Sequence, residues 1–242
     1  MPSGGVLALV TVLLGAGLVL GSYGIDRLLA TLMPRRWYRL AITPGIIVHE
    51  LSHAALCVLT GARIRRIGFF DPHGGAVEHE RPRLGAMGNA LIGVAPLFGV
   101  VVAFRWIASL AGLTLTDVSS VPSLGSSIGT FMTVGWDLLS GPWNTASHWL
   151  VVWLTLSLAA SLAPSGTDLR HAIGGLVVFG LLAGMSVATG FGADPLRQGI
   201  EQWILPTISL GLILECLAFL VIAPWYALWR MRKRTQNAPP LR

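Results

Sequence analysis

Two histidines and a glutamate form the most specific pattern in this sequence. The stretch His49-Glu50-Leu51-Ser52-His53 sets two imidazoles four residues apart. On a helix these two side chains share one face, where both could bind a single zinc ion. The glutamate between them would then reach a water molecule on that ion and accept its proton. The spacing therefore predicts a zinc hydrolase.

A third zinc ligand must come from elsewhere in the chain, because a catalytic zinc has three protein ligands and one open position for water. Asp168 is the strongest candidate, since it follows the break Pro164-Ser165-Gly166, where the chain can turn a carboxylate back towards the site. His171, Glu78 and His79 are weaker candidates. Asp168 also has an alternative role, as a cap of the helix that follows it.

The composition is that of a membrane protein. Hydrophobic residues make up 53% of the chain and charged residues only 12%, whereas soluble domains are about one quarter charged. The motif itself lies in an apolar segment at about 40–59, where two histidines and a glutamate are costly and therefore functional by default. The net charge of +6 comes from basic residues between and after apolar segments. Such residues are topology signals, so we expect a lipid bilayer as partner and no nucleic acid.

Six apolar segments predict an all-α polytopic membrane fold with about six transmembrane helices in one integral membrane domain, residues 1–242. The catalytic core is expected at about 40–170, with additional helices at about 4–23, 169–189 and 203–229. The remaining helices are predicted at about 40–60, 84–112 and 148–163, and an external loop at 114–147. Residues 26–39 are predicted as a polar connector, through which Pro34 would interrupt any long helix. The segment 84–112 could be one bent helix or a short re-entrant piece followed by a helix. The distribution of Lys and Arg places both termini in the cytoplasm. We therefore expect a multi-pass protein of the cell membrane.

The segment after the motif helix differs in character. Gly61 stands where a helix would be capped, and two short runs with apolar residues then flank the turn Asp71-Pro72-His73-Gly74-Gly75. This pattern predicts a β-hairpin or a looped strand pair within residues 62–80.

Two charged residues, Arg105 and Glu215, lie inside other apolar segments. Unpaired charges are costly at membrane depth. The sequence therefore favours an ion pair between these two side chains across two helices over a role in substrate binding.

The sequence resembles the site-2 protease family of intramembrane zinc metalloproteases. The resemblance rests on His49-Glu50-Leu51-Ser52-His53 in a membrane helix, the turn Gly74-Gly75-Ala76, Asn89 in the next segment and Asp168 two helices after the motif. It covers about residues 40–170. In that family the two histidines and a downstream Asp bind zinc, and the segment between them lies as a hairpin at the cytoplasmic face.

Two positions differ from the usual family pattern. Asp168 precedes Leu169, where the family usually has Gly, and Asn89 follows Met87-Gly88, where the family usually has Gly-Pro. The motif residues themselves do not differ.

The resemblance implies an endopeptidase with one zinc per chain that cleaves a membrane-spanning or membrane-proximal peptide bond of a transmembrane protein. Its implied zinc ligands are His49, His53 and Asp168. Glu50 would take the proton from the attacking water. An edge strand of the hairpin would pair with the unwound substrate, and Asn89 would hold the substrate backbone. The implied substrate-binding residues are Asn89, Gly74 and Gly75.

Two other functions use the same residues. A membrane peptidase of the prenyl-protein-processing type takes its third ligand from a Glu on a later helix, and neither Glu201 nor Glu215 has the expected spacing. A non-catalytic membrane module could bind a metal or a partner helix. Glu50 argues against that module, because a pure binding site needs no base beside its ligands. The sequence does not specify an oligomeric state.

Overall fold

The fold is given by a computed structural model, which describes residues 4–71, 74–112, 144–162 and 198–236 and the separate positions 129, 133, 136, 140–141, 168, 170 and 194. This part of the chain is mostly helical, at 82%, with one small antiparallel sheet. Four of its helices are long and apolar enough to cross a membrane, and a further apolar helix is shorter. The helical class and the hairpin are confirmed, whereas six spans are not.

The first two helices are longer than the sequence predicted. Helix α1 spans Gly4–Leu32 and helix α2 spans Arg35–Thr60. The predicted end of the first helix near Tyr23 and the predicted polar connector at 26–39 are wrong. Polar side chains do not by themselves end a helix, and the break comes only at Pro34, which lacks an N–H and disfavours helical backbone in the residue before it.

Helix α2 carries the motif and ends in a glycine cap. Gly61 has a φ of 72°, which a residue without a Cβ adopts readily. The N–H of Gly61 donates to the carbonyl of Val58 at 3.2 Å, and the N–H of Ala62 donates to the carbonyl of Cys57 at 2.8 Å. These two bonds close the last turn, so the predicted cap is confirmed.

The hairpin follows directly. Strand β1 spans Ile64–Asp71 and strand β2 spans Gly74–His79, and the two pair antiparallel with Ile67 opposite Val77. Both strands contact α2, and Ile64 and Val77 pack beside buried Cys57. The hairpin therefore folds back against the helix that carries the motif.

Three further helices complete the described fold. Helix α3 spans Gly85–Leu110 with Pro96 inside it, helix α4 spans Ala146–Ala160, and helix α5 spans Leu205–Gln236 after a π-helical turn at Ile200–Ile204. The sequence left open whether the third segment was one helix or two pieces, and it is one. The predicted external loop and the predicted helix at 169–189 lie almost entirely outside the described residues.

The core lies where the helices meet. Helix α2 packs against α3 and α4, and α1 packs against α5. The largest fully buried side chains include Leu18, Ile25, Phe104, Leu158 and Leu214. Large apolar side chains also cover the outer helix faces, such as Leu20 at 70% exposure and Trp106 at 67%. These outer faces are compatible with a membrane protein.

Candidate metal centre

Three potential metal ligands lie together. One ligand atom from each of His49, His53 and Asp168 falls within 4.8 Å of the others. Nε2 of His49 lies 3.4 Å from Oδ2 of Asp168, and Nε2 of His53 lies 3.2 Å from Oδ1. Zinc binds such atoms at about 2.0–2.2 Å, so a tetrahedral site separates two ligand atoms by roughly 3.3 Å. The spacing of these three side chains therefore suits one metal ion.

Helix α2 presents the two histidines to the same point. They are one turn apart, and their ring centroids are 4.9 Å apart with the rings nearly edge to face. Both residues are buried, with 7% and 4% exposure. This is the arrangement that the four-residue spacing predicted.

Each imidazole is oriented by a backbone carbonyl. Nδ1 of His49 lies 2.6 Å from the carbonyl oxygen of Ser161, and Nδ1 of His53 lies 2.7 Å from that of Ile92. A carbonyl only accepts hydrogen bonds, so each Nδ1 carries the proton and donates it. Each Nε2 is then left with a lone pair for a metal.

The His53 Nε2 atom supports the presence of a ligand. It is buried and makes no hydrogen bond in the described residues, although Oδ1 of Asp168 is 3.2 Å away. A buried ring nitrogen rarely lacks a partner, and a metal ion between His53 and Asp168 would supply one.

Glu50 lies beside the histidines under cover of the hairpin. It is 6% exposed, and Gly75 of β2 lies directly against it. A Cβ added to Gly75 would come within 2.5 Å of Cγ of Glu50 and 2.7 Å of its Cδ. Only glycine allows β2 to approach the carboxylate this closely, so Gly75 is part of the site.

The other two predicted substrate-binding residues lie nearby in the fold. Gly74 pairs with Asp71 at the turn of the hairpin. Asn89 lies in the first turns of α3, half-buried and three residues before Ile92. Neither residue makes a described contact with the three potential ligands.

Sequence reasoning predicted helix α4, at about 148–163, but not its contacts with the helix that carries His49. Three hydrogen bonds join α4 to α2, and each links residues that are 112 positions apart. Trp153 Nε1 donates to the Ala41 carbonyl at 3.0 Å, Gly45 N–H donates to Ser157 Oγ at 2.8 Å, and His49 Nδ1 donates to the Ser161 carbonyl. The two helices therefore run parallel and in register, with one hydrogen bond in each turn.

Pro44 explains why α2 needs this support. In a regular helix the N–H of Gly45 and the carbonyl of Ala41 bond to each other. Pro44 disturbs the helix at this point, and both groups have partners on α4. A Cβ on Gly45 would overlap the carbonyl oxygen of Ser157, so glycine is required for this approach. The four-residue spacing of Gly45 and His49 hinted at such a face, but nothing in the sequence identified its partner.

Helix α3 approaches α2 closely from another direction. A Cβ on Gly99 would lie 2.7 Å from Cβ of Ser52 and would overlap the Ser52 hydroxyl. That hydroxyl donates to the Val48 carbonyl within α2 at 2.6 Å. The motif helix is thus held between α3 and α4, which fixes the positions of its histidines.

The weaker candidates for a third ligand lie outside the cluster. Glu78 is exposed and pairs with Arg66 at 3.7 Å, and Nδ1 of His79 bonds to the carbonyl of Glu80 at 2.9 Å. His171 lies outside the described residues. Among the described side chains, Asp168 is the acid that joins the two histidines.

The predicted pair between Arg105 and Glu215 does not form. Arg105 is exposed, whereas Glu215 is 3% exposed and its Oε1 has no hydrogen-bond partner among the described residues. Glu215 instead lies against Gly21 of α1. The prediction is wrong because the apolar sequence around both residues does not show which way each side chain faces.

Comparisons of the chain with protein-family models, with curated proteins and with solved structures find no match. The function is therefore inferred from the chemistry of the site itself.

Proposed function

We propose that this protein is an intramembrane zinc endopeptidase that cleaves a transmembrane protein substrate within or near the bilayer of the cell membrane. The observation that carries the proposal is the cluster of His49, His53 and Asp168 with Glu50 beside it. The two histidines and the glutamate lie in a helix apolar enough to cross a membrane. A buried group of this kind at membrane depth is a functional site by default. The resemblance to site-2 proteases is consistent with this function.

The donor set favours zinc over other common metals. Two imidazole nitrogens and one carboxylate suit zinc, whereas magnesium and calcium prefer oxygen ligands throughout. His49, His53 and Asp168 would hold one ion per chain and leave one position open for water. A zinc ion held by these three side chains would lower the pKa of its bound water and polarise the substrate carbonyl.

The side chains of this protein would supply the remaining steps. Glu50 accepts a proton from the attacking water and returns it to the nitrogen of the departing amine. The carbonyls of Ser161 and Ile92 hold the two imidazoles in one orientation throughout, which preorganises the site.

The hairpin offers a way to present the substrate. Each of its two strands has only one strand neighbour in the described sheet, so each has an edge that could pair with an extended peptide. Gly75 places β2 directly against the proposed base, Glu50. A substrate helix must unwind before cleavage, and pairing with this edge would stabilise the unwound segment. Asn89, half-buried on α3, remains the proposed contact for its backbone.

Metal analysis and cleavage assays on matched variants test the proposal. We expect one zinc per chain in the wild type, its loss in His53→Ala and Asp168→Ala, and its retention in Glu50→Gln. Labelled transmembrane peptides reconstituted with the protein should be cleaved by the wild type alone. Absence of zinc from the folded wild type would refute the metal site. If Glu50→Gln kept both its zinc and its full effect on the substrate, the result would instead support a non-catalytic module.

The third ligand separates the two peptidase classes. A peptidase of the prenyl-processing type would keep its zinc in Asp168→Ala and lose it when a later Glu is replaced. Since Asp168 is the acid in the described cluster, we expect the opposite result.

A further inference from the structure

We propose that a groove at the break between α1 and α2 binds an anionic phospholipid, with an acyl chain in the groove and the phosphate beside the arginines of α2. The groove has a volume of about 520 Å³ and is lined by Met33, Pro34, Trp37, Leu40, Ala41 and Trp153. All six side chains are apolar or aromatic. The volume lies within the range of about 300–1,000 Å³ of small-molecule sites.

The groove is separate from the metal centre. Ala41 precedes His49 by eight residues, which is about 12 Å along a helix. The inference therefore does not depend on the proposed peptidase activity.

One wall of the groove is fixed, and the other is open. Trp153 is held by its hydrogen bond to the Ala41 carbonyl at 3.0 Å. Trp37 and Leu40 are 53% and 54% exposed, so their apolar surface is available to a ligand. A groove with one rigid apolar wall on a lipid-facing helix suits an acyl chain.

Positive charge lies next to this apolar surface. The segment from Arg27 to His49 contains four arginines and no acidic residue. The guanidinium of Arg36 lies 5.7 Å from the ring centre of Trp37, so one of these charges borders the groove itself. Asp26, the acid just before the segment, accepts a hydrogen bond from the Tyr38 hydroxyl.

This combination of features matches a phospholipid with net negative charge. Guanidinium groups bind phosphate oxygens in pairs, and basic clusters beside a membrane helix attract anionic lipids. A zwitterionic phosphatidylcholine carries a choline that offsets its phosphate, so it would gain less from the arginines. A partner helix is a poorer fit, because at a diameter of about 10–12 Å it would fill this volume with about one turn.

Native mass spectrometry of the full chain in detergent tests the proposal. We expect one retained phosphatidylglycerol and much weaker retention of phosphatidylcholine with the same acyl chains. The variant Arg35→Gln/Arg36→Gln/Arg39→Gln should lose more than about tenfold in affinity for phosphatidylglycerol. The matched control Arg230→Gln/Arg232→Gln/Lys233→Gln removes the same charge at the end of α5 and should retain the lipid.

Two outcomes would overturn the proposal. One is equal loss in both triple variants, because binding would then follow net charge alone. The other is displacement of the lipid by inorganic phosphate, because the acyl groove would then contribute nothing.

A photo-crosslinking residue at position 40 provides an independent measurement that does not depend on the arginine variants. In native membranes it should yield the chain plus one phospholipid mass. A protein-sized adduct would show that a partner helix occupies the groove. In that case the lipid assignment is wrong.

Discussion

Nδ1 of His53 donates a hydrogen bond to the carbonyl oxygen of Ile92 at 2.7 Å, and this carbonyl lies in the interior of α3, where it would normally bond within its own helix. Its regular partner would be the N–H four residues later, but that residue is Pro96, which has none. A proline in α3 thus leaves free the carbonyl that orients a potential metal ligand on α2. The Ser161 carbonyl orients His49 in the same way. Ser161 lies at the C-terminal cap of α4, where carbonyls lack partners within the helix.

Replacing Pro96 should therefore weaken metal binding. In Pro96→Ala the restored N–H competes with His53 for the Ile92 carbonyl. The carbonyl has two lone pairs, so the competition is partial. We expect zinc affinity to fall by about tenfold, the lower end of the loss when a ligating histidine loses its hydrogen-bond partner. Competitive titration with a chelator measures the change. Pro224→Ala is the control, since Pro224 is an exposed proline inside α5 and should leave zinc affinity unchanged. Equal affinity in wild type and Pro96→Ala would refute this role of the proline.

Two serines one turn apart on α4 should respond differently to the same change. Ser157→Ala removes the acceptor of the Gly45 N–H, and an unpaired buried donor costs about 1–3 kcal/mol. We expect a lower thermal midpoint and weaker zinc binding. Ser161→Ala removes a hydroxyl whose partner among the described residues is the Leu158 carbonyl, and it leaves the Ser161 carbonyl in place. Zinc affinity should be unchanged in Ser161→Ala. If zinc affinity fell equally in Ser157→Ala and Ser161→Ala, the register between α2 and α4 would not be what positions His49.

The local features of the fold were predictable from the sequence. The motif helix, its cap at Gly61 and the hairpin each follow from residues within a few positions of one another. Asp168 could be proposed because a Pro-Ser-Gly break precedes it, and the structure brings it to the two histidines. These inferences required only short-range geometry and the coordination chemistry of zinc.

The contacts between helices were not predictable. The carbonyls of Ser161 and Ile92 carry no side-chain signature, because any residue type offers the same acceptor. The predicted connector after Tyr23 is wrong because polar residues do not by themselves end a helix. The predicted pair of Arg105 with Glu215 is wrong because depth in a helix does not fix the direction of a side chain. Helix register and rotation depend on packing, which a single sequence does not contain.

Gly45 should tolerate no side chain. In Gly45→Ala the new Cβ would meet the Ser157 carbonyl oxygen and lie 2.7 Å from the Ser161 hydroxyl oxygen, so α4 must move away from α2. We expect destabilisation of about 1–3 kcal/mol from overpacking, with loss of zinc. Gly17→Ala on α1 is the matched control, because its nearest neighbour would be Leu212 Cδ2 at 3.9 Å. That variant should be neutral or more stable by about 0.5–1 kcal/mol, as measured by thermal unfolding in detergent.

Gly75 should affect cleavage without affecting the metal. A Cβ in Gly75→Ala would displace the Glu50 side chain, to which the three atoms nearest that Cβ belong. The rate of peptide cleavage should fall by about 10²-fold or more, since a small misplacement of a catalytic group has an effect of this size. Zinc content should remain one per chain.

Ala76→Ser, at the exposed neighbouring position of β2, should retain both cleavage and zinc. Loss of zinc in Gly75→Ala would show that the hairpin supports the metal ligands. Unchanged cleavage in this variant would show that Glu50 is not the base that we propose.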